Sequence, residues 1–187
     1  SGGPVNRTLI ALSLAAALAL PALASAQQEQ KRGPSTAAER RRVVEITRRL
    51  EKVPFSKTAD GDRVWLMTWI DEVPDVNIRY CPGPLYGLIE GQYEGRAFWV
   101  QSLFGMSAYL VEHYPDREKA DWVKVQVAGL ESAIASYQTA RKAEEVGRIP
   151  ALEKLVKAKA AGTLAKVVRE EMEACDPNFT PIPSDAI

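Results

Sequence analysis

The sequence predicts an all-α fold, an antiparallel bundle of five to six helices with one long, proline-rich ordered loop. Apolar residues recur at spacings of three and four in five or six segments, which is the period of an amphipathic α-helix. No segment alternates apolar and polar residues as a half-buried strand does. No unit repeats at the period of about 34 or 40 residues that is typical of a helical solenoid, so a bundle is predicted.

The amino-terminal segment has the three parts of a secretory signal peptide. Arg7 precedes an uncharged apolar run over residues 9–20, and Pro21 interrupts the helix that this run would form. The small residues Ala24 and Ala26 stand where a signal peptidase accepts only small side chains. We therefore expect cleavage after Ala26.

Cleavage would leave a periplasmic or secreted chain. Residues 1–26 then form the signal peptide, which includes a short amino-terminal extension before its basic residue. The alternative is that residues 9–26 remain attached as a membrane anchor, because their length is at the lower limit of a spanning helix. No membrane span is expected after signal cleavage.

The mature chain is predicted to contain one helical domain between two irregular segments. Residues 27–34 are polar and end in a Gly-Pro pair, as expected of a flexible tether. Residues 35–175 carry the helical periodicity and form the domain. Residues 176–187 contain three prolines and are expected to be an extended or disordered tail.

The first helix is expected to begin at Thr36 and to end before Pro54. Thr36 and Glu39 have the spacing of a capping box, in which each side chain accepts a hydrogen bond from the other residue's backbone N–H. An apolar stripe follows, formed by Val43, Ile46 and Leu50.

The next three segments place a loop between two apolar helices. The second helix, over residues 62–73, is too apolar to be exposed. Residues 74–84 contain three prolines and a glycine, which exclude a helix, so an ordered crossing loop is predicted. The third helix, over residues 92–113, has no charged side chain between Arg96 and Glu112, and it is the candidate central helix.

The carboxyl-terminal half predicts two or three further helices. Residues 118–146 form a long fourth helix that Gly147 is expected to cap. Pro150 is expected to open the fifth helix, because its missing N–H is tolerated at the first helical position. Gly162 separates this helix from a last one that continues to Ala174.

The two cysteines, Cys81 and Cys175, are predicted to form a disulfide, because disulfides persist in exported proteins. The bond would close a loop of roughly 95 residues and would restrict the unfolded chain by about 4 to 5 kcal/mol in the chain-entropy model. The alternative is a pair of unlinked thiols, one buried and one reactive. The spacing excludes a CxxC redox pair.

The charge balance argues against nucleic acid or a membrane surface as a partner. Removal of the signal peptide takes away one basic residue and leaves 23 basic against 24 acidic side chains. The basic cluster of residues 40–42 and 48–49 is interleaved with glutamates, so a solvated helix face explains it better than a nucleic-acid site.

The sequence predicts no catalytic residue, no metal ligand and no cofactor. His113 is the only histidine, which excludes sites that need two, and its expected role is to cap the end of the third helix. An axial haem pair with Met67 or Met106 is the alternative role. Ser107 has no nucleophile motif around it, so the sequence favours a protein that is not an enzyme.

Aromatic residues cluster around the proline-rich loop and could line a ligand pocket or contact a partner. Core packing predicts the same residues. The candidate surface comprises Trp65, Trp69, Tyr80, Tyr86, Trp99 and Gln101.

Several short stretches resemble a group of bacterial proteins. They are Trp69, residues 72–76 (EVPDV), Cys81-Pro82, and residues 101–106 (QSLFGM), 127–132 (VAGLES) and 162–165 (GTLA). These stretches resemble uncharacterised exported helical proteins of acidobacterial-type bacteria. The resemblance implies export and a helical domain, and it carries no activity, cofactor or site residue.

Two functional hypotheses follow. The first is an exported binding or structural module of the cell envelope with a protein partner, as a subunit of a larger assembly. The second is a pocket protein for a small apolar ligand, or an enzyme of unfamiliar type, with its site near residues 62–104. A deep cavity with convergent polar groups would favour the second hypothesis, and a solid core with an exposed apolar patch would favour the first.

Overall fold

The computed structural model describes residues 32–79, 81, 83–89 and 93–175, and the predicted all-α class is confirmed. Within these residues the chain forms two 3₁₀-helices, seven α-helices and no strand. The 3₁₀-helices are Gly83–Leu85 and Arg117–Lys119. The α-helices are α1 (Ala37–Lys52), α2 (Ala59–Glu72), α3 (Tyr86–Ile89), α4 (Tyr93–His113), α5 (Trp122–Lys142), α6 (Pro150–Ala160) and α7 (Leu164–Cys175). The predicted signal peptide of residues 1–26, residues 27–31 of the predicted tether and the predicted tail of residues 176–187 lie outside the described residues.

The capping box at the start of α1 is confirmed. The Thr36 side chain accepts a hydrogen bond from the Glu39 backbone N–H at 3.2 Å, and the Glu39 carboxylate accepts one from the Thr36 backbone N–H at 2.8 Å. The bond from the Thr36 backbone is the main reason why the pKa of Glu39 lies below its ordinary value. The predicted apolar stripe of α1 is buried.

Helix α4 is the central helix, as predicted. From Ala97 to Leu110 every side chain is buried except three that are partly exposed, Trp99, Val100 and Tyr109. Helices α1 and α5 both pack against α4. Along α4 the contacts with α5 run from Phe98 against Tyr137 to Gly105 against Gly129, so these two helices are antiparallel.

Two glycines allow α4 and α5 to approach closely. A Cβ atom added to Gly105 would lie 2.4 Å from the Ser132 Cβ and 3.0 Å from the Ala128 carbonyl oxygen. A Cβ added to Gly129 would lie 2.7 Å from the Ser102 carbonyl oxygen. Since real Cβ contacts are not this short, the crossing requires glycine on both helices.

The predicted bounds of the fourth helix are wrong at both ends. The helix begins at Trp122 because Asp121 caps it, accepting hydrogen bonds from the backbone N–H groups of Val123 and Lys124. It ends at Lys142, because Glu144 adopts a left-handed backbone conformation with φ of 60°. The Glu144 N–H then bonds the Arg141 carbonyl and the next N–H bonds the Ala140 carbonyl, which is a Schellman motif that does not involve Gly147.

The predicted start of the second helix is also wrong: α2 begins at Ala59 rather than at residue 62, because its first turn includes Asp60 and Asp62, whose charges suit a helix amino terminus. The predicted loop of residues 74–84 ends early, because Gly83 and Pro84 belong to a 3₁₀-helix.

Two boundaries in the carboxyl-terminal half are confirmed. Pro150 is the first residue of α6. Gly162, with φ of 69°, ends that helix and separates it from α7. The predicted disulfide is also present: Cys81 is bonded to Cys175, with their Cα atoms 6.0 Å apart. Among the described residues, no helix combines the length with the hydropathy that crossing a bilayer requires.

Candidate functional site

Residues 73–79, which follow α2, form an ordered loop that is anchored first at Asp75. One carboxylate oxygen of Asp75 accepts a hydrogen bond from the Ser35 backbone N–H at 2.8 Å. The other accepts one from Ser35 Oγ at 2.7 Å and one from Arg40 Nη2 at 2.7 Å. Burial by itself would raise the pKa of Asp75, but the bonds from Ser35 and Arg40 outweigh it and lower the pKa below its ordinary value. The loop is therefore joined to the start of α1 by an ionised carboxylate.

The other end of the loop is fixed to α5 and α7. Gln126 Nε2, on α5, donates a hydrogen bond to the Arg79 carbonyl oxygen at 2.7 Å. Two residues later Cys81 is bonded to Cys175 at the end of α7. Two side chains of the loop, Val73 and Val76, are buried in the core. We call residues 73–79, held in this way, the anchored loop.

A groove of about 530 Å³ lies between α2, the anchored loop and α4. Four apolar side chains in it, Met67, Ile70, Ile78 and Trp99, are only partly buried. The full lining is Met67, Ile70, Asp71, Glu72, Val73, Pro74, Val76, Asn77, Ile78, Trp99 and Leu103. The groove is thus a mainly apolar depression, one wall of which is the loop held at Asp75 and Arg79, and it lies inside the predicted region of residues 62–104.

Two acidic residues line the groove. Asp71 and Glu72 are exposed in the last turn of α2. The unpaired carbonyl groups at a helix carboxyl terminus add partial negative charge to the same place. Arg32 Nη1 approaches Glu72 Oε2 to 3.2 Å and offsets part of this charge.

A smaller, cationic cleft of about 230 Å³ adjoins the groove at Asn77, which lines both depressions. Its other lining residues are Arg79, Arg117, Glu118 and Trp122. The Arg79 guanidinium lies over the Trp122 ring, 5.6 Å from the ring centre. Arg117 Nη1 donates to the Asn77 carbonyl at 3.5 Å, and its Nε is 3.4 Å from a carboxylate oxygen of the exposed Glu118. Sequence analysis did not identify this cleft, because its residues come from two segments about 40 positions apart.

The predicted candidate residues do not form one surface. Trp65 and Trp69 stack with their ring centres 6.4 Å apart, and the Arg42 guanidinium lies 4.0 Å above the Trp65 ring. Neither tryptophan lines the groove, and Trp69 is buried. Among the described residues, the Trp69 Nε1 has no hydrogen-bond partner. Tyr80 and the side chain of Tyr86 lie outside the described part of the structure.

The other two candidate residues, Trp99 and Gln101, also lie in different places. Trp99 lines the groove, whereas Gln101 is only 1% exposed and lies between α1, α4 and α5. Gln101 Nε2 donates to Ser132 Oγ at 2.8 Å and to the Thr47 carbonyl at 3.3 Å. Ser132 Oγ donates in turn to Glu51 Oε1 at 2.7 Å. Gln101 therefore joins three helices and does not offer a polar group to a ligand.

The remaining reactive residue types occupy structural positions. Ser107 is buried, and its hydroxyl donates to the Leu103 carbonyl at 2.9 Å, one turn earlier in α4. His113 is the last residue of α4, as expected for a capping role, and its ring contacts that of Tyr109 with centres 4.3 Å apart. In the part of the chain that the structure describes, no three His, Cys, Asp or Glu residues are grouped so that they could hold a metal ion.

No protein-family model matches this sequence, and comparison with curated proteins and with solved structures finds no similar protein. The functional argument therefore depends on the geometry of the groove and of its surroundings.

Proposed function

We propose that the chain is an exported helical binding module of the cell envelope, and that a protein partner occupies the groove beside the anchored loop. The observation that supports this most is a set of partly exposed apolar side chains, Met67, Ile70, Ile78 and Trp99, along a wall that is fixed at both ends. A concave, mainly apolar depression of this kind is typical of binding sites. The anchors of the loop reduce the entropy that binding would cost.

Export and the disulfide support each other in this proposal. The Cys81–Cys175 bond is stable in an oxidising compartment, which a signal peptide over residues 1–26 would provide. Gln101, the polar candidate residue of this region, is buried and its amide group is bonded to protein atoms. This arrangement favours a surface that binds a partner over a deep active site.

Site-specific crosslinking in cells tests the proposal. A photoreactive amino acid replaces the exposed, groove-lining Asn77 in one variant and the exposed Lys166, on α7 and outside the groove, in a matched variant. We expect one crosslinked species of defined mass from position 77 and none from position 166. The change Ile70→Glu, made in the Asn77 variant, should abolish the crosslink. The change Val64→Glu is its control, because Val64 is 66% exposed on the same helix and does not line the groove.

A pocket for a small apolar ligand is the second candidate, and the groove volume of about 530 Å³ favours it, since ligand pockets are usually about 300 to 1,000 Å³. Native mass spectrometry of the protein purified from its own cell envelope separates the two candidates. A bound small molecule that is lost on denaturation, together with no crosslink at position 77, would replace the first proposal with the second.

A further inference from the structure

We propose that the cationic cleft of Arg79 and Arg117 binds a carboxylate of the polypeptide that occupies the groove. This inference rests on the proposed function and adds the chemistry of the partner. The two depressions carry opposite charges: Asp71 and Glu72 line the groove together with its apolar side chains, and Arg79 and Arg117 line the adjoining cleft. The complementary occupant is a segment with a basic residue and apolar residues for the groove and a carboxylate for the cleft.

The arginines can accept such a group because their present contacts are weak. Arg117 is near Glu118, whose side chain is 71% exposed, and an exposed ion pair contributes about 0 to 1 kcal/mol. The Trp122 ring beneath Arg79 restricts the orientation of that guanidinium. Two guanidinium groups provide paired N–H donors, a geometry that matches the two oxygens of a carboxylate.

The position of the cleft favours a carboxylate on a polypeptide over a free anion. Asn77 lines both depressions, so an occupant of the groove needs only to continue past this residue to reach the arginines. An extended chain advances by about 3.3 Å per residue, so a short segment covers this path. A side-chain carboxylate and a terminal carboxylate both fit, because the cleft recognises the same group in each.

The test uses the full chain and three pools of fluorescein-labelled nine-residue peptides. Each pool has an amidated carboxyl terminus, Lys at one end and mixed Leu, Ile and Val in the middle, and the other end is Glu, Gln or Lys, so that only the Glu pool carries a carboxylate. Fluorescence polarisation measures the dissociation constants. We expect the Glu pool to bind roughly tenfold more tightly than the Gln pool, as a charge-assisted hydrogen bond would provide.

Reversal of charge gives the decisive comparison. The change Arg117→Glu should remove the preference for the Glu pool and make the Lys pool the tightest of the three. The change Lys119→Glu is the matched control, since Lys119 belongs to the same 3₁₀-helix, has an 82% exposed side chain and does not line the cleft. This control should leave the order of the pools unchanged.

The outcomes separate this inference from the proposed function. Equal binding of the Glu and Gln pools, sensitive to Ile70→Glu, would overturn the carboxylate site and leave the groove as a binding site. Tighter binding of inorganic phosphate than of the Glu pool would also overturn it. The absence of binding by any pool would overturn the inference, and only the additional absence of a crosslink at position 77 would overturn the proposed function.

Discussion

The close crossing of α4 and α5 predicts that Gly105→Ala destabilises the protein. The new Cβ would meet Ser132 Cβ at 2.4 Å, the Ala128 carbonyl oxygen at 3.0 Å and the Gly129 Cα at 3.0 Å. None of these atoms can move by a simple side-chain rotation, because they belong to the backbone of α5 or are attached directly to it. The helices must therefore separate.

The expected magnitude follows from two opposing effects. Overpacking of a core usually costs about 1 to 3 kcal/mol, and backbone contacts on the facing helix place Gly105→Ala at the upper end of that range. Alanine is favoured over glycine within a helix by about 1 kcal/mol. The net loss in the free energy of unfolding is then about 2 kcal/mol, which corresponds to a decrease in Tm of roughly 4 to 8 °C for a domain of this size.

The matched control is Gly61→Ala in the first turn of α2. A Cβ at Gly61 has no atom within 4 Å, so this change should stabilise the protein by about 0.5 to 1 kcal/mol. Urea unfolding followed by circular dichroism measures both variants, and equal m-values would make the midpoints comparable. A Gly105→Ala variant as stable as the unmodified protein would refute the geometry of the crossing.

Three further predictions concern stability. Asp75→Asn should lower the free energy of unfolding by about 1 to 3 kcal/mol at pH 7, because it weakens charge-assisted hydrogen bonds. The pKa of Asp75 is lowered in the folded protein, so the stabilisation by its carboxylate is complete above the unfolded pKa of about 3.9 and is lost as the pH falls through the folded pKa. The urea midpoints of the two proteins should therefore converge in acid. The double change Cys81→Ser and Cys175→Ser should lower stability by about 4 to 5 kcal/mol in the chain-entropy model, and dithiothreitol should reproduce the loss in the unmodified protein. Glu144→Gly should raise the thermal midpoint by stabilising the protein by about 1 kcal/mol, since glycine adopts φ of 60° without strain, and an unchanged midpoint would contradict this.

The features that sequence analysis predicted correctly depend on residues close together in the chain or on a single chemical pairing. The capping box needs only Thr36 and Glu39, and the start of α6 needs only Pro150. The disulfide follows because Cys81 and Cys175 are the only two cysteines of a chain that is predicted to be exported. Each of these features is determined by one or two residues and can be predicted without knowing how the rest of the chain packs.

The end of α5 shows why a local rule can fail. Glycine adopts the left-handed conformation at the lowest cost, so the sequence predicts Gly147 as the cap of this helix. The chain instead reverses at Glu144, and Val146 is then buried in a core cluster with side chains of α5, α6 and α7. Burial of Val146 offsets the strain of the left-handed conformation at Glu144. The sequence of the turn alone does not show that Val146 will be buried.

The crossing glycines were missed for a related reason. Gly105 and Gly129 each lower the helix propensity of their own segment, so a single segment gives no indication that they are useful. Their role appears only when α4 and α5 are placed together, because the atoms that exclude a Cβ at one glycine belong to the other helix. Gln101 was misjudged in the same way, since its bonding partners lie on α1 and α5.

The groove could be predicted only in part, because it depends on local sequence and also on contacts between residues that are distant in sequence. Residues 62–104 were expected to contain it because of their aromatic and proline content, and Trp99 and the anchored loop do line it. The loop itself is positioned by residues distant in sequence: Ser35 and Arg40 hold Asp75, and Gln126 holds the Arg79 carbonyl. A proline-rich loop without these anchors would lose conformational entropy on binding, whereas this one has already lost it in folding. The binding surface therefore depends on long-range anchors that also stabilise the fold, so a change that loosens Asp75 should weaken partner binding as well as stability.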